Sequence, residues 1–164
     1  MMRELRIRGA QARDDEAIWN IIGPTIAAGE TYPLPRDMSP TDALAYWKSP
    51  AHQVFVAECE GSVVGTYYLK ANQQGGGAHV ANCGYITGEA ARGQGVAQAM
   101  CLHSLDQARA QNFLAMQFNF VVSSNTGAVR LWQSLGFAIV GTLPQAFRHP
   151  QLGLVDALVM HRKL

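Results

Sequence analysis

The residues best suited to chemistry form one short turn, Arg92-Gly93-Gln94-Gly95-Val96-Ala97, which the sequence pattern places between a strand and a helix. Glycines allow a tight turn and a close approach of the backbone to a ligand. The first turn of the helix adds free N–H groups and the positive end of the helix dipole, which together attract an anion such as a pyrophosphate. An ordinary glycine-rich connection would look the same, so the turn by itself leaves both interpretations open.

Two familiar phosphate-binding loops do not fit this turn. A Walker loop needs Gly-Lys followed by Ser or Thr, whereas Gly95 is followed by Val96. A dinucleotide fingerprint needs a third glycine at the position of Gln98, and this turn lies midway along the chain. Binding of a nucleoside triphosphate or of a dinucleotide is therefore poorly supported.

Asn82 and Asn119 are the polar residues least expected from their surroundings. Each lies within a predicted strand among apolar neighbours, where asparagine is depleted and an unpaired amide costs about 1 to 3 kcal/mol. Both amides should therefore have partners. Either they contact a substrate, or they form structural hydrogen bonds at a bulge.

The sequence does not identify an acid–base residue, and the predicted strand over residues 79–87 contains no carboxylate. The nearest candidates for a general base are Glu58, Glu89, His79 and His103. Each of these also suits a solvated or helix-capping position. Cys83 and Cys101 have no histidine partner close in sequence and are interpreted as packing residues rather than nucleophiles. No metal site is predicted, because no cysteine or histidine spacing is that of a ligand set.

The elements that must position these residues follow from the periodicity, beginning with a short strand at residues 5–8. A helix should run from Asp14 or Asp15 to about residue 28, with Pro24 ending or kinking it. Ser39-Pro40 begins a short second helix, because serine is a good N-cap and proline suits the first helical position. Residues 29–38 between the two helices are expected to form an ordered loop.

The rest of the chain alternates strands with two further helices. Glu60-Gly61 predicts a hairpin between strands at 54–58 and 62–69. Further strands are expected over residues 79–87, 114–122, 138–143 and 156–161, the last two around a proline-containing loop, with helices beginning near Gly95 and spanning 126–135. This order predicts one mixed α/β sheet with helices on both faces.

Composition narrows the class of protein. The chain has 164 residues, which suits a single domain, and 13 Lys and Arg nearly balance 12 Asp and Glu. Without a broad positive field, nucleic acid and anionic membranes are not expected partners. Three widely spaced cysteines favour free thiols in a reducing cytoplasm. The first residues carry no apolar run and no eighteen apolar residues occur in succession, so export and membrane insertion are not expected.

The turn resembles the R/Q-x-x-G-x-G/A signature of the GNAT superfamily of acyl-CoA-dependent N-acetyltransferases, as Arg92-x-x-Gly95-x-Ala97. Asn125-x-x-Ala128-x-x-Leu131 and then Leu135-Gly136-Phe137 resemble a second segment of that superfamily, in the right order. The resemblance implies a single GNAT domain over residues 1–164, with a mixed, mostly antiparallel central sheet and helices on both faces. It also implies acetyl-CoA as the cosubstrate.

The resemblance further implies roles for individual residues. The pyrophosphate of CoA would be bound by the backbone amides of Arg92, Gly93, Gln94, Gly95, Val96 and Ala97. Ile86 and Thr87 would pair with pantetheine as if it were an added strand, and Asn125 would hydrogen-bond the pantetheine arm, a role that is compatible with capping a helix. Many relatives protonate the departing thiolate with a tyrosine, but Trp132 stands at that position. CoA would then leave as a thiolate, or Tyr85 or a water would supply the proton.

A narrower resemblance links the chain to the GNAT branch that acetylates azetidine-2-carboxylate and related proline analogues. It rests on residues 79–82 and 117–122, on Leu131-Trp132, and on residues 140–144 and 156–160. In that branch, asparagines matching Asn82 and Asn119 bind the substrate. Two other functions remain open, namely acetylation of a peptide or protein amine and a non-catalytic CoA-binding sensor.

Two further expectations concern the acceptor and the assembly. Tyr32, in the loop over residues 29–38, favours a covered site and hence a small-molecule amine. A homodimer is expected by analogy with the superfamily, and because a monomer would leave the aromatic-rich C-terminal segments partly uncovered.

Overall fold

A computed structural model of the chain describes residues 4–164. The described residues form seven strands and four α-helices in the predicted order: β1 (Leu5–Gly9), α1 (Asp15–Ala28), α2 (Pro40–Trp47), β2 (Gln53–Cys59), β3 (Ser62–Ala71), β4 (Val80–Thr87), α3 (Val96–Ala110), β5 (Ala115–Val122), α4 (Thr126–Ser134), β6 (Ala138–His149) and β7 (Gly153–Lys163). Among these, no helix is long and apolar enough to cross a membrane.

All seven strands belong to one sheet with the order β1-β2-β3-β4-β5-β7-β6 across residues 4–164. Neighbouring strands are antiparallel except β4 and β5, which are parallel. A parallel pair requires a crossover, and α3 supplies it. The predicted mixed, mostly antiparallel α/β sheet is therefore confirmed.

Each face of the sheet carries its own hydrophobic core. On one face, here called the α3–α4 face, side chains of α3 and Trp132 of α4 pack on Tyr67, Leu69 and Cys83. On the other, the α1–α2 face, isoleucines of α1 and Trp47 of α2 pack on strand residues that include Val56, Tyr68 and Ile86. The helices on both faces agree with the prediction, and α1 and α2 leave the β5-β7-β6 end of their face without a closely packed helix.

Local sequence signals explain several element boundaries. The Ser39 hydroxyl accepts a hydrogen bond from the Asp42 amide at 3.1 Å, and Pro40 is the first residue of α2. Both residues of the Glu60-Gly61 turn have positive φ (51° and 81°), as a tight hairpin with matching twist requires. Gly136, with φ 92°, follows the end of α4 as predicted.

Two prolines lie inside elements rather than at their ends. Helix α1 continues through Pro24 to Ala28, because Pro24 and Asn20, four residues earlier, are exposed and water can hydrate the carbonyl that loses its partner. Pro144 lies inside β6 rather than in a loop, at a bulge where Leu143 and Phe147 are separated by more residues than their partners on β7. An edge strand accepts a proline at such a bulge, so β6 and β7 extend beyond their predicted limits.

Candidate functional site

The turn before α3 is an open cradle of backbone N–H groups. Gly93 and Gly95 have φ of 76° and 83°, and a Cβ added at either would meet no atom within 4 Å. Six consecutive N–H groups, those of residues 93–98, donate to no acceptor within residues 4–164, because the first helical bond runs from Ala99 to the Gly95 carbonyl at 3.0 Å. The Arg92 N–H bonds to the Glu89 carbonyl at 3.3 Å instead. The arrangement suits a phosphate group.

A gap separates β4 from β5 next to this cradle. The two strands pair only through Val80–Ala115 and Ala81–Met116, after which they diverge. The next carbonyl of β5, that of Gln117, accepts from the Asn82 side-chain amide at 2.9 Å. A side-chain hydrogen bond therefore replaces backbone pairing at the point where the two strands begin to diverge. This point, at Asn82, is here called the fork of the gap.

The backbone groups of alternate β4 residues point into this gap. The His79 carbonyl accepts from Leu114 on the β5 side, whereas the Val80 carbonyl accepts from Asn72 on the β3 side. Successive residues alternate in direction, so the peptide groups of residues 83, 85 and 87 face the gap. Of the two residues predicted to pair with pantetheine, Thr87 faces the gap, while the peptide groups of Ile86 face β3 and its side chain is buried in the α1–α2 core.

Tyr32 reaches the gap from the loop between α1 and α2. Its hydroxyl donates to the Tyr85 carbonyl at 3.1 Å, and its ring packs edge-on against Trp47, with 6.1 Å between ring centroids. Burial raises the pKa of Tyr32, so the hydroxyl stays protonated and remains a donor. The Arg36 guanidinium, which donates to the Ala27 carbonyl at 2.8 Å, fixes the other end of the loop. The loop therefore lies against the gap rather than standing away from it.

Asn82 and Asn119 lie on the same face of the sheet. The neighbours of Asn82 in sequence, Ala81 and Cys83, belong to the α3–α4 core, so the Asn82 side chain points to the α1–α2 face. By the same alternation Gln117 lies on that face, because Met116 and Phe118 belong to the α3–α4 core, and its side-chain amide donates to Asn119 Oδ1 at 3.0 Å.

The two asparagines belong to one network of amide groups. Asn119 Nδ2 donates to Asn72 Oδ1 at 2.6 Å, and Gln117 connects Asn119 to Asn82 through its own carbonyl. Asn119 also lies at a bulge, because the pairing of β5 with β7 shifts register between Phe118 and Val121. Both interpretations from the sequence thus have support, since the amides have structural partners and also line one exposed surface at the gap.

Asn125 caps α4, with Oδ1 accepting from the Ala128 amide at 3.4 Å. Beside it, the Ser124 hydroxyl oxygen is buried and has no hydrogen-bond partner within residues 4–164. A buried hydroxyl without a partner costs free energy of folding. Sequence reasoning did not single out Ser124, because a serine before a helix N-cap is unremarkable until its burial is known.

Three aromatic rings lie together on the α3–α4 side of the gap. The Trp132 ring centroid lies 5.0 Å from that of Tyr85 and 5.2 Å from that of Phe118. The Tyr85 hydroxyl contacts Ser104 Oγ at 2.6 Å, and burial raises its pKa well above the ordinary value. Trp132 therefore packs as part of the core, and Tyr85 provides a protonated hydroxyl close to it.

The predicted acid–base candidates do not converge at the asparagines. Glu58 is paired with Arg8 at 2.8 Å, and His103 Nδ1 contacts the Tyr67 hydroxyl at 2.7 Å on the α3–α4 side. Burial lowers the pKa of His103, so its imidazole is neutral at pH 7. Glu89 and His79 are exposed beyond opposite ends of β4. In the described part of the chain, none of these four side chains forms a hydrogen bond with Asn82 or Asn119.

The two buried cysteines are held as thiols. Burial raises the pKa of Cys83 to about 12 and that of Cys101 to about 11, far from the thiolate form that a nucleophile needs. No disulfide links the described cysteines, and no group of three or more His, Cys, Asp or Glu residues from 4 to 164 could hold a metal ion.

Comparisons with known proteins point to one family. A sequence profile described as the Acetyltransferase (GNAT) family matches residues 20–137. The chain is similar to N-acetyltransferase aca1 of Schizosaccharomyces pombe, with 27% identity over 151 residues that cover 82% of this chain and 72% of that protein. It is also similar to the structure of a GCN5-related N-acetyltransferase from Kribbella flavida, with 41% identity, 98% of both chains covered and a TM-score of 0.93.

A more distant likeness concerns the fold alone. The structure of a GNAT superfamily phosphinothricin acetyltransferase from Sinorhizobium meliloti, solved in complex with acetyl-CoA, has a TM-score of 0.84. It is 21% identical, and the match covers all of this chain and 89% of that one.

Proposed function

Because the chain belongs to the Acetyltransferase (GNAT) family and is therefore an acetyl-CoA-dependent N-acetyltransferase, we propose that its acceptor is the amine of a small molecule, such as an amino acid or a proline analogue. The observation that carries the proposal is the network of amide groups at the fork of the β4–β5 gap, where Asn82 and Asn119 share one face. Amides both donate and accept, so they can orient a small polar molecule without a buried charge.

The residues around the gap fit acetyl-CoA. The free N–H groups of residues 93–98 would hold the pyrophosphate, and the peptide groups of β4 that face the gap would pair with pantetheine. Asn125 would contact the same molecule from the start of α4. Acetyl-CoA supplies an acetyl group activated as a thioester.

The proposed reaction is direct attack of a neutral amine on the thioester carbonyl, with this chain contributing mainly orientation. The amine nitrogen forms a bond to the acetyl carbon, the carbon–sulfur bond breaks, and the amine proton passes to water. Trp132 cannot protonate the leaving sulfur, because an indole N–H is too weak an acid. The Tyr85 hydroxyl packs beside Trp132, but it already donates its proton to Ser104 Oγ, whose own proton goes to the Cys101 carbonyl, so we propose that CoA leaves as a thiolate and takes its proton from water.

A small acceptor is favoured over a protein amine because the loop carrying Tyr32 contacts β4 directly. The hydrogen bond from Tyr32 to the Tyr85 carbonyl brings the loop across the gap, where a peptide would need an open groove. The three free cysteines suit a reducing compartment, and we place the enzyme in the cytoplasm. We also propose a homodimer formed through the β6 edge of the sheet, where Ile139, Val140 and Leu143 are exposed.

The test is turnover of acetyl-CoA with a panel of amines, including azetidine-2-carboxylate, phosphinothricin, common amino acids, polyamines and peptides. With the best amine, Asn82→Ala or Asn119→Ala should lower kcat/KM by about 10- to 100-fold, because each removes a hydrogen bond that orients the acceptor. Acetyl-CoA affinity, measured by calorimetry, should change little in both.

Asn125→Ala is the matched control, since it removes a side-chain amide of the same type from a residue outside the amide network. It should chiefly weaken acetyl-CoA binding, and it should cost about 1 kcal/mol of stability through the lost helix cap. Full activity of both strand variants on the best amine would contradict the acceptor site, and the two asparagines would then be structural only. Acetyl-CoA binding without transfer to any amine would favour a sensor.

A further inference from the structure

Lys70 lies on the same face of the sheet as Asn82, and no carboxylate of residues 4–164 forms an ion pair with it. It follows Leu69 of the α3–α4 core, so its side chain points to the α1–α2 face, as that of Tyr68 does. Lys70 and Asn82 are direct cross-strand partners of β3 and β4, which places their Cβ atoms about 5 Å apart. Among the residues that the structure describes, Lys70 forms no ion pair.

The side chains of Tyr68, Asn72 and His52 lie near Lys70. Asn72, two residues further along the same face, accepts the hydrogen bond from Asn119. His52 stacks on Tyr68 with 4.0 Å between ring centroids, and its pKa is lowered by burial and by the positive charge of Lys70. A neutral His52 does not compete with Lys70 for an anion.

The three lysines of the chain differ in their environment. Lys48 pairs with Asp15, and Lys163 is exposed near the C-terminal end. Lys70 is half-buried, yet no carboxylate offsets its charge within residues 4–164. A half-buried lysine beside amide groups can receive an anion, because charge-assisted hydrogen bonds are about twice as strong as neutral ones.

We propose that Lys70 binds the carboxylate of the acceptor and so restricts the enzyme to amino or imino acids with a free carboxylate. The inference rests on the proposed function, since it names the class of small-molecule amine. Asn82 is suited to the other end of the same molecule, because its Nδ2 is bound to the Gln117 carbonyl while its Oδ1 has no partner in the described chain. Lys70 is a specificity residue and takes no part in the transfer of the acetyl group.

The experiment compares each amino acid that the enzyme accepts with its own carboxamide, which keeps the shape and removes the negative charge. The wild type should prefer the acid by at least about 10-fold in kcat/KM, the smaller value expected for a hydrogen bond to a charged group. Lys70→Met should reduce this preference to about 1, through a higher KM for the acid and an unchanged KM for the carboxamide. Lys70→Arg should keep part of the preference.

Lys163→Met is the control for the loss of one positive charge, and it should leave the preference intact. Acetyl-CoA affinity should be the same in all three variants, because Lys70 lies on the face opposite the aromatic rings of the gap. Equal losses for acid and carboxamide in Lys70→Met, or a wild type that prefers carboxamides or polyamines, would overturn the inference while the acetyltransferase assignment stands. No transfer to any amine by the wild type would instead overturn the proposed function, and this inference with it.

Discussion

Arg8 is paired with two carboxylates outside the candidate site. Its guanidinium donates to both carboxylate oxygens of Asp14, at 2.8 and 2.9 Å, and to Glu58 at 2.8 Å. The Asp14 side chain is only 5% exposed. Hydrogen bonding to Arg8 therefore holds the pKa of Asp14 at about 2, below its ordinary value of 3.8. This contact joins β1, β2 and the start of α1.

Asp14→Asn should lower the free energy of unfolding by about 2 kcal/mol at pH 7, because the interaction that lowers the pKa of Asp14 from 3.8 to about 2 is lost. A lowered folded-state pKa means that the contribution is present above about pH 4 and disappears as the pH falls through 2. The stability difference between wild type and variant should therefore shrink from pH 4 to pH 2, as measured by urea unfolding. Asp106→Asn, which breaks the exposed pair with Arg109, should change stability by less than about 0.5 kcal/mol.

Single residues were predictable where their type is unusual for their place. The expectation that Asn82 and Asn119 have hydrogen-bond partners is confirmed, because an unpaired amide in a strand is costly wherever it points. Their role in binding an acceptor stays a prediction. Lys70 was not identified from the sequence, because a lysine in a strand is ordinary until the register places it opposite Asn82.

Elements were predictable where their ends are fixed locally. The Ser39-Pro40 start of α2 and the Glu60-Gly61 hairpin depend on residues within a few positions, and both occur as predicted. The predicted ends of β6 and β7 were wrong, because the end of a strand depends on pairing with residues of another strand. The Gln145 amide bonds to the Asp156 carboxylate across the bulge at 2.9 Å, and this contact carries the strand past Pro144.

The turn before α3 gives a prediction at the scale of an element. Gly95→Glu should lower acetyl-CoA affinity by at least about 100-fold in calorimetry, because it places bulk and negative charge against the pyrophosphate. The fold should persist, since a Cβ at this position meets no atom within 4 Å and the left-handed backbone costs about 1 kcal/mol.

Gly61→Glu is the matched control for that variant. Gly61 has nearly the same φ (81°) and equally open space, but it lies in the β2–β3 hairpin. Gly61→Glu should introduce the same backbone strain and the same added charge as Gly95→Glu, without lowering the affinity for acetyl-CoA. Unchanged affinity in a folded Gly95→Glu protein would remove this turn from the cofactor site.

At the scale of the whole molecule, the fold class was predictable but the fork of the sheet was not. The alternation of strands and helices together with the family resemblance gave the mixed sheet, which the structure confirms. The point at which β4 diverges from β5 is spanned by a hydrogen bond between Asn82 and the Gln117 carbonyl, 35 residues apart in sequence. No local pattern encodes such a contact.

The exposed edge strand β6 underlies a prediction about assembly. At micromolar concentration the protein should sediment as a species of about twice 17.8 kDa, because pairing of two copies would cover Ile139, Val140 and Leu143. Val140→Lys should shift the protein toward the monomer, whereas Leu114→Lys, at an equally exposed leucine before β5, should not. A wild type that sediments only as a monomer would refute the dimer.

The short pairing of β4 with β5 also has a mechanical consequence. Every other pair of neighbouring strands in the described sheet is joined by at least five residue pairs, whereas this seam has two. A load applied across the sheet from β1 to β6 would therefore concentrate at the seam, which should rupture first. A molecule of acetyl-CoA paired along β4 would bridge the two halves, so the loaded enzyme should be stiffer and should break at a higher force than the free one.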